Sequence, residues 1–190
     1  SRNPWPEDSL RPCPELTQKP THVLSCVILP RTTRLPLPNS PNRELPMTIW
    51  FKDLSLEDIQ RASSPPNLAD ALGIEFTDIG PDYLRGSMPV DERTRQPYGL
   101  LHGGASVALA ETLGSFGCYL TLNPKTHYNV GLEINANHVR SVREGVVTGT
   151  ARPIHMGRTT HIWEIRIVDE RDKLVCISRL TLAVLEITDG

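Results

Sequence analysis

Regular hydrophobic patterning begins after residue 47. "SLEDIQRAS" (55–63) predicts a short helix, with Ser55 as N-cap and acids in the first turn, where the helix dipole is positive. "NLADALG" (67–73) predicts a second helical turn, stopped by Gly73 at the position where glycine takes the left-handed conformation. "IEFTDI" and "YLRGSMPV" read as strands joined at the turn signal "GPD". In the second strand Leu84, Met88 and Val90 share one parity and Arg85 and Ser87 the other. A helix over about 103–122 follows, and then four strands with no helix between them. "YNVGLEINANHV" alternates, which predicts Val130, Leu132, Ile134 and Ala136 on one face. "GVVTGTARPIH" and "THIWEIRIVD" come next, and the turn "ERDK" leads to "LVCISRLTLAVLE". That last run is apolar on both parities, which predicts a central strand covered on both sides. Hairpin connections and a mostly antiparallel sheet follow. One long helix on five or six antiparallel strands is an α+β layer fold.

Residues 1–46 differ. They hold ten of the chain's 17 prolines, which fix φ and remove amide donors, so neither helix nor sheet propagates there. The segment reads as a disordered tail or artificial leader, and 47–190 as one domain. The net charge of −2 gives no global basic field for nucleic acid or a membrane surface. No run of about 18 apolar residues is present, so no membrane span is expected. Cys13, Cys26, Cys118 and Cys176 lack metal-ligand spacing and read as free thiols of a reducing, cytoplasmic compartment. No histidine or carboxylate spacing suggests a metal site.

The helix carries the candidate chemistry. Val107, Ala108, Leu109, Leu113, Phe116 and Leu120 make it apolar nearly all round, which predicts a helix enclosed by the sheet. Glu111 lies in the middle. A carboxylate there costs on the order of several kcal/mol unless it is paired or protonated. Its neighbours one turn away include no cation. It is either a catalytic base or nucleophile, or a side chain that reaches solvent or a partner's arginine. "HGGAS" stands at the helix start, where backbone amides lack internal partners. Gly103 there allows close approach to an amide able to stabilise an oxyanion, an effect worth roughly 10²–10³ in rate per donor. A tight turn alone is the plainer reading of two glycines. Gln96 and His102, just upstream, are candidate polar orienters. Glu111 lies eight residues beyond Gly103, about 12 Å along the axis, yet a base and an oxyanion donor must both touch one reacting group. If both are catalytic, a second copy must bring its Glu111 to this helix start. A two-fold dimer with two shared sites is the simplest way.

"MPVDERTRQPYGLLHGGASVALAETLGS" followed by "VGLEINANHVRSVREG" resembles the hotdog-fold acyl-CoA thioesterases. The similarity is to the branch containing 1,4-dihydroxy-2-naphthoyl-CoA hydrolases and enterobactin proofreading thioesterases, and it covers about 47–187. It implies a long central helix wrapped by an antiparallel sheet. It implies Glu111 as nucleophile or base, the Gly103 amide polarising the thioester carbonyl, and Gln96 and His102 orienting the thioester. It also implies that Ser115 positions the attacking group and that His138 stands at the site's edge. Shared dimer sites and assembly into a homotetramer follow from it as well. No cofactor is implied, since coenzyme A belongs to the substrate.

Coenzyme A carries phosphates, so cations are expected near the cleft mouth. "NHVRSVREG" offers Arg140 and Arg143, and "HMGRTTH" offers His155 and Arg158 beside Gly157. Tyr98 in "QPYG" is a candidate for tuning the acyl pocket. The leading expectation is hydrolysis of an acyl-CoA or acyl-carrier-protein thioester, with an aromatic acyl group. A hotdog hydratase or dehydratase and a non-catalytic acyl-CoA-binding module are the alternatives.

Overall fold

The structure, a computed structural model, describes residues 48–61 and 66–188. The expectation for 1–46 lies outside that range. Helix α1 (Leu56–Arg61) begins as the sequence predicts. Ser55 Oγ accepts from the Asp58 amide at 3.2 Å, and the Asp58 carboxylate accepts from the Ser55 amide at 3.0 Å, a reciprocal cap. Helix α2 (Leu68–Leu72) is capped by Asn67 and ends at Gly73 with φ 68°. Strands β1 (Glu75–Ile79) and β2 (Leu84–Pro89) form a hairpin, and β2 buries Leu84, Gly86 and Met88 as its parity requires. Helix α3 spans Gly103–Thr121. Strands β3 (His127–His138), β4 (Val146–Met156), β5 (Thr160–Val168) and β6 (Leu174–Glu186) complete one antiparallel sheet in the order β1-β2-β4-β5-β6-β3.

The core lies between α3 and one face of this sheet. Leu109, Leu113 and Cys118 are fully buried against Leu84, Val147, Trp163, Ile165 and Leu180. The helix approaches closely because it presents small residues. A Cβ added at Gly117 would meet the Trp163 ring at 2.9 Å. Trp163 in turn stacks on Trp50, with centroids 6.4 Å apart.

Three expectations are corrected. In this chain α3 is not enclosed. Ala105, Leu109, Leu113 and Cys118 face the sheet, while Glu111, Thr112, Ser115 and Phe116 are only half-buried and Tyr119 is exposed. The helix reads as apolar all round because its second face is built of Val107, Ala108 and Phe116 as well as polar groups. Strand β6 is central, between β5 and β3, but its two faces are covered unequally: Cys176, Ser178, Leu180, Leu182 and Val184 are buried, whereas on the other face only Val175 is buried, Ile177, Thr181 and Ala183 are half-buried and Arg179 is exposed.

The third correction concerns β3, which is an edge strand. Its register slips between Gly131 and Glu133, so Leu132 is an extra residue, a β-bulge. Beyond the bulge Ile134 and Ala136 lie opposite buried Leu180 and Ser178, as expected. Before it the parity reverses. Val130 and Leu132 are 41% and 61% exposed, and Asn129 and Gly131 turn towards α3 instead.

Candidate active site

The bulge positions the carboxylate. Glu111 projects from α3 over β3, and a Cβ added at Gly131 would lie 2.8 Å from Glu111 Oε1. One turn on, Ser115 Oγ donates to the same Oε1 at 2.7 Å. Asn129 Nδ2 donates to the Ser115 carbonyl at 3.1 Å, which ties that turn of α3 to β3. Among the described residues Glu111 has no ion pair within its own chain. Ser115 also lines a groove of about 710 Å³ between α3, α1, α2 and β1. Its apolar wall is Ile59, Ile74, Phe76, Phe116 and Tyr119, with Phe76 and Phe116 in ring contact at 4.7 Å. Glu111 therefore stands beside an aromatic-walled groove.

A second group forms at the other end of the same helix stretch. His102 is the N-cap of α3, and its Nδ1 accepts from the Gly104 amide at 2.8 Å. That bond requires an unprotonated Nδ1, so a neutral ring carries its proton on Nε2 as an outward donor. The Gly103 amide has no partner among the described residues. His138 lies against Gly103, its Nε2 2.9 Å from where a Cβ would sit. Gln96, Gly103, Ser106, His138 and Arg140 line one cavity of about 370 Å³. The Tyr98 amide donates to Gln96 Oε1, which leaves the amide nitrogen of Gln96 as its remaining donor beside that cavity.

The loop carrying these donors is held by a residue that sequence reasoning missed. Thr94 is 1% exposed. Its Oγ1 donates to the Pro89 carbonyl at 2.7 Å and accepts from the Asp91 amide at 3.0 Å, while its carbonyl accepts from the His102 amide at 2.8 Å. The signal was present as an Asp-x-x-Thr turn in "DERT". Asn129 and Gly131 were also missed, because only the bulge turns them inward.

Other expected site residues fall outside both groups. Tyr98 is 84% exposed and borders neither cavity; its carbonyl accepts from Arg143 at 3.4 Å. His155, Gly157 and Arg158 lie at the β4–β5 turn, beyond the register pair Pro153–Trp163 and so towards the C-terminal end of α3. One chain thus assembles Glu111 with Ser115, and Gln96 with His102, Gly103, His138 and Arg140. It does not bring the two groups together, since about 12 Å of helix separates them.

Residues 98–176 match the Thioesterase superfamily. The 1,4-dihydroxy-2-naphthoyl-CoA hydrolase of Escherichia coli is 51% identical over 137 residues, covering 72% of this chain and 99% of that protein. The proofreading thioesterase EntH of Cronobacter turicensis is 50% identical over 137 residues, covering 72% and 98%. The solved structure of a thioesterase from Haemophilus influenzae superposes with TM-score 0.71 at 47% identity, covering 75% of this chain and 99% of that one. This chain belongs to the Thioesterase superfamily. It is a thioester hydrolase built on the hotdog fold. No helix among the described residues is long and apolar enough to cross a membrane.

The thioesterase also buries a titratable pair behind the site. Cys118 Sγ lies 3.3 Å from Nδ1 of His161, which is 4% exposed. Burial pushes the Cys118 thiol up to about 12, so it stays protonated and is no nucleophile. Burial also lowers the His161 pKa, an effect opposed by its contact with the Gly157 backbone and reinforced by His155. A depressed histidine pKa means stability that is intact above the ordinary value near 6.5 and lost as pH falls below it, because the unfolded chain binds a proton that the buried ring refuses. The melting temperature should therefore fall between pH 7 and pH 5, and His161→Gln should flatten that fall. An unchanged slope in the variant would assign the loss to other groups.

Proposed function

We propose that this thioesterase hydrolyses an aromatic acyl thioester of coenzyme A or of a carrier protein, of the kind represented by 1,4-dihydroxy-2-naphthoyl-CoA. The observation that carries this reading is the groove walled by Phe76, Phe116 and Tyr119, which meets Glu111 at Ser115. Offset or edge-on packing against such rings favours a planar aryl group. Two copies related by a two-fold axis place Glu111 of one against the Gly103 helix start of the other. The thioester oxygen then accepts from the Gly103 amide, with Gln96 and His102 Nε2 orienting the group. Glu111 takes a proton from water as the oxygen adds to the carbonyl carbon. The tetrahedral oxyanion collapses and expels the thiolate, which recovers the proton. Direct attack by Glu111, followed by hydrolysis of the anhydride, uses the same positions. Ser115 holds the carboxylate in place for either route.

His138 and Arg140 flank the donor cavity and are assigned to the coenzyme A side of the substrate. His155, Gly157 and Arg158 stand at the other end of α3, so their place in that site requires another subunit, in keeping with a homotetramer acting in the cytoplasm. Tyr98, exposed in the single chain, meets substrate only within such an assembly. The reading is tested by thiol release from benzoyl-CoA. Wild type should turn it over, while Glu111→Ala and His102→Asn should each be nearly inactive. Asparagine keeps an acceptor at the helix cap, so the second lesion removes the imidazole and not the cap. Mixing the two variants with subunit exchange should restore about one quarter of wild-type activity, because each hybrid dimer carries one intact site. Exchange without recovery would show that sites are not shared.

A further inference from the structure

A second cavity lies behind the acyl groove. It measures about 410 Å³ and sits between the 51–54 segment, α1 and the last turn of α3. The linings of groove and cavity have three residues in common: Ile59, Phe116 and Tyr119. Ile59 is 2% exposed and belongs to the core, so it is fixed. Phe116 is wedged, with its ring 4.7 Å from Phe76 and 5.9 Å from Tyr119. Tyr119 is 41% exposed, and its ring is held only from the Phe116 side among the ring contacts of the described residues. It is the one part of the partition that is not locked in place.

Glu111 and Tyr119 are on one helix, eight residues and about 12 Å apart. A single aromatic ring attached to a carbonyl at Glu111 ends short of that wall. A long linear acyl chain runs into it. Beyond the wall Phe51, Leu54, Leu120, Leu122 and Pro124 give an apolar lining, while the charged Lys52, Asp53 and Asp58 also border this cavity.

We infer that Phe116 and Tyr119 form the partition that limits this enzyme to ring-sized acyl groups, and that the cavity behind them is a subsite for the tail of a linear acyl chain once Tyr119 is removed. The inference rests on the assignment of the groove to the acyl group. Each methylene transferred from water to an apolar site favours binding by several-fold, so the gain for a long chain is large.

The experiment measures kcat/KM for benzoyl-CoA and dodecanoyl-CoA with wild type, Tyr119→Ala and the double variant Leu54→Trp/Tyr119→Ala. Native circular dichroism and melting are checked for each. The dodecanoyl-to-benzoyl ratio should rise roughly tenfold or more in Tyr119→Ala. It should return towards wild type in the double variant, whose indole fills the cavity. A folded Tyr119→Ala enzyme with an unchanged ratio overturns the inference. A raised ratio that survives Leu54→Trp overturns the subsite, since the chain then leaves by another route. Wild type that hydrolyses neither thioester overturns the function reading and the partition with it. Wild-type turnover of benzoyl-CoA with an invariant ratio overturns the partition alone.

Discussion

Glu111→Gln should lower kcat on benzoyl-CoA by roughly 10²–10⁴, and by more if the carboxylate attacks directly. The amide keeps the shape of the side chain and an oxygen to accept from Ser115 Oγ, so the 2.7 Å contact survives in form. What is lost is the capacity to take a proton or to add to a carbonyl. Substrate affinity should change little, because the proposed function assigns the acyl group to the aromatic wall and the thiol carrier to other residues. Glu111 is half-buried and has no ion pair among the described residues, so the melting temperature should move by only about 2 °C. The opposite pattern, normal turnover with a marked loss of stability, would make Glu111 a structural residue. Steady-state kinetics and a melting curve on this one variant separate the two.

Gly131→Ala should be nearly as damaging, through position and not chemistry. The new methyl group would lie 2.8 Å from Glu111 Oε1. Backbone on an edge strand does not need to move, because the carboxylate is the flexible end of a side chain and swings aside. Swinging aside breaks the bond from Ser115 and takes the oxygen off line. Misplacing a reacting group by about 1 Å costs roughly 10²-fold, so kcat should fall by about that factor. Gly131 does not have positive φ, so alanine strains nothing and melting should stay close to wild type. Full turnover in Gly131→Ala would mean that the working carboxylate does not rest over the bulge.

Much of the fold was readable because its signals are local. The span of α3, the Ser55 cap, the Gly73 stop and the parity of β2 each depend on residues within a few positions of one another. The carboxylate was readable for a related reason: a lone charge in an apolar helix is conspicuous. Errors arose where distant strands decide. The alternation of β3 looks uninterrupted, yet its partner β6 has one residue fewer across the bulge, and no window of β3 alone contains that fact. The second face of α3 was read as covered because apolar residues lie on it. Coverage depends on what packs there, and in one chain that face borders a groove. His102 was read only as a polar orienter. Its role as a helix cap was missed because serine, threonine, aspartate and asparagine are the residues that usually announce one. The 12 Å argument needed only helix geometry, and the two separate side-chain groups in the chain agree with it.

The kink in β3 also bears on how the protein behaves when concentrated. A sheet's outermost strand offers unpaired amides and carbonyls to any extended chain it meets, and Tyr128, Val130 and Leu132 make this one attractive as well as open. Straight, flat margins of that kind seed aggregates and fibrils. An inserted residue bends the strand and tightens its twist, so a regular partner cannot stay in step along its length. Straightening β3 by deleting Leu132 would leave a uniform margin and invite precipitation in place of orderly pairing. The irregular step that seats the carboxylate should thereby also disfavour open-ended pairing of edges, and light scattering should show more aggregate for the Leu132 deletion than for wild type.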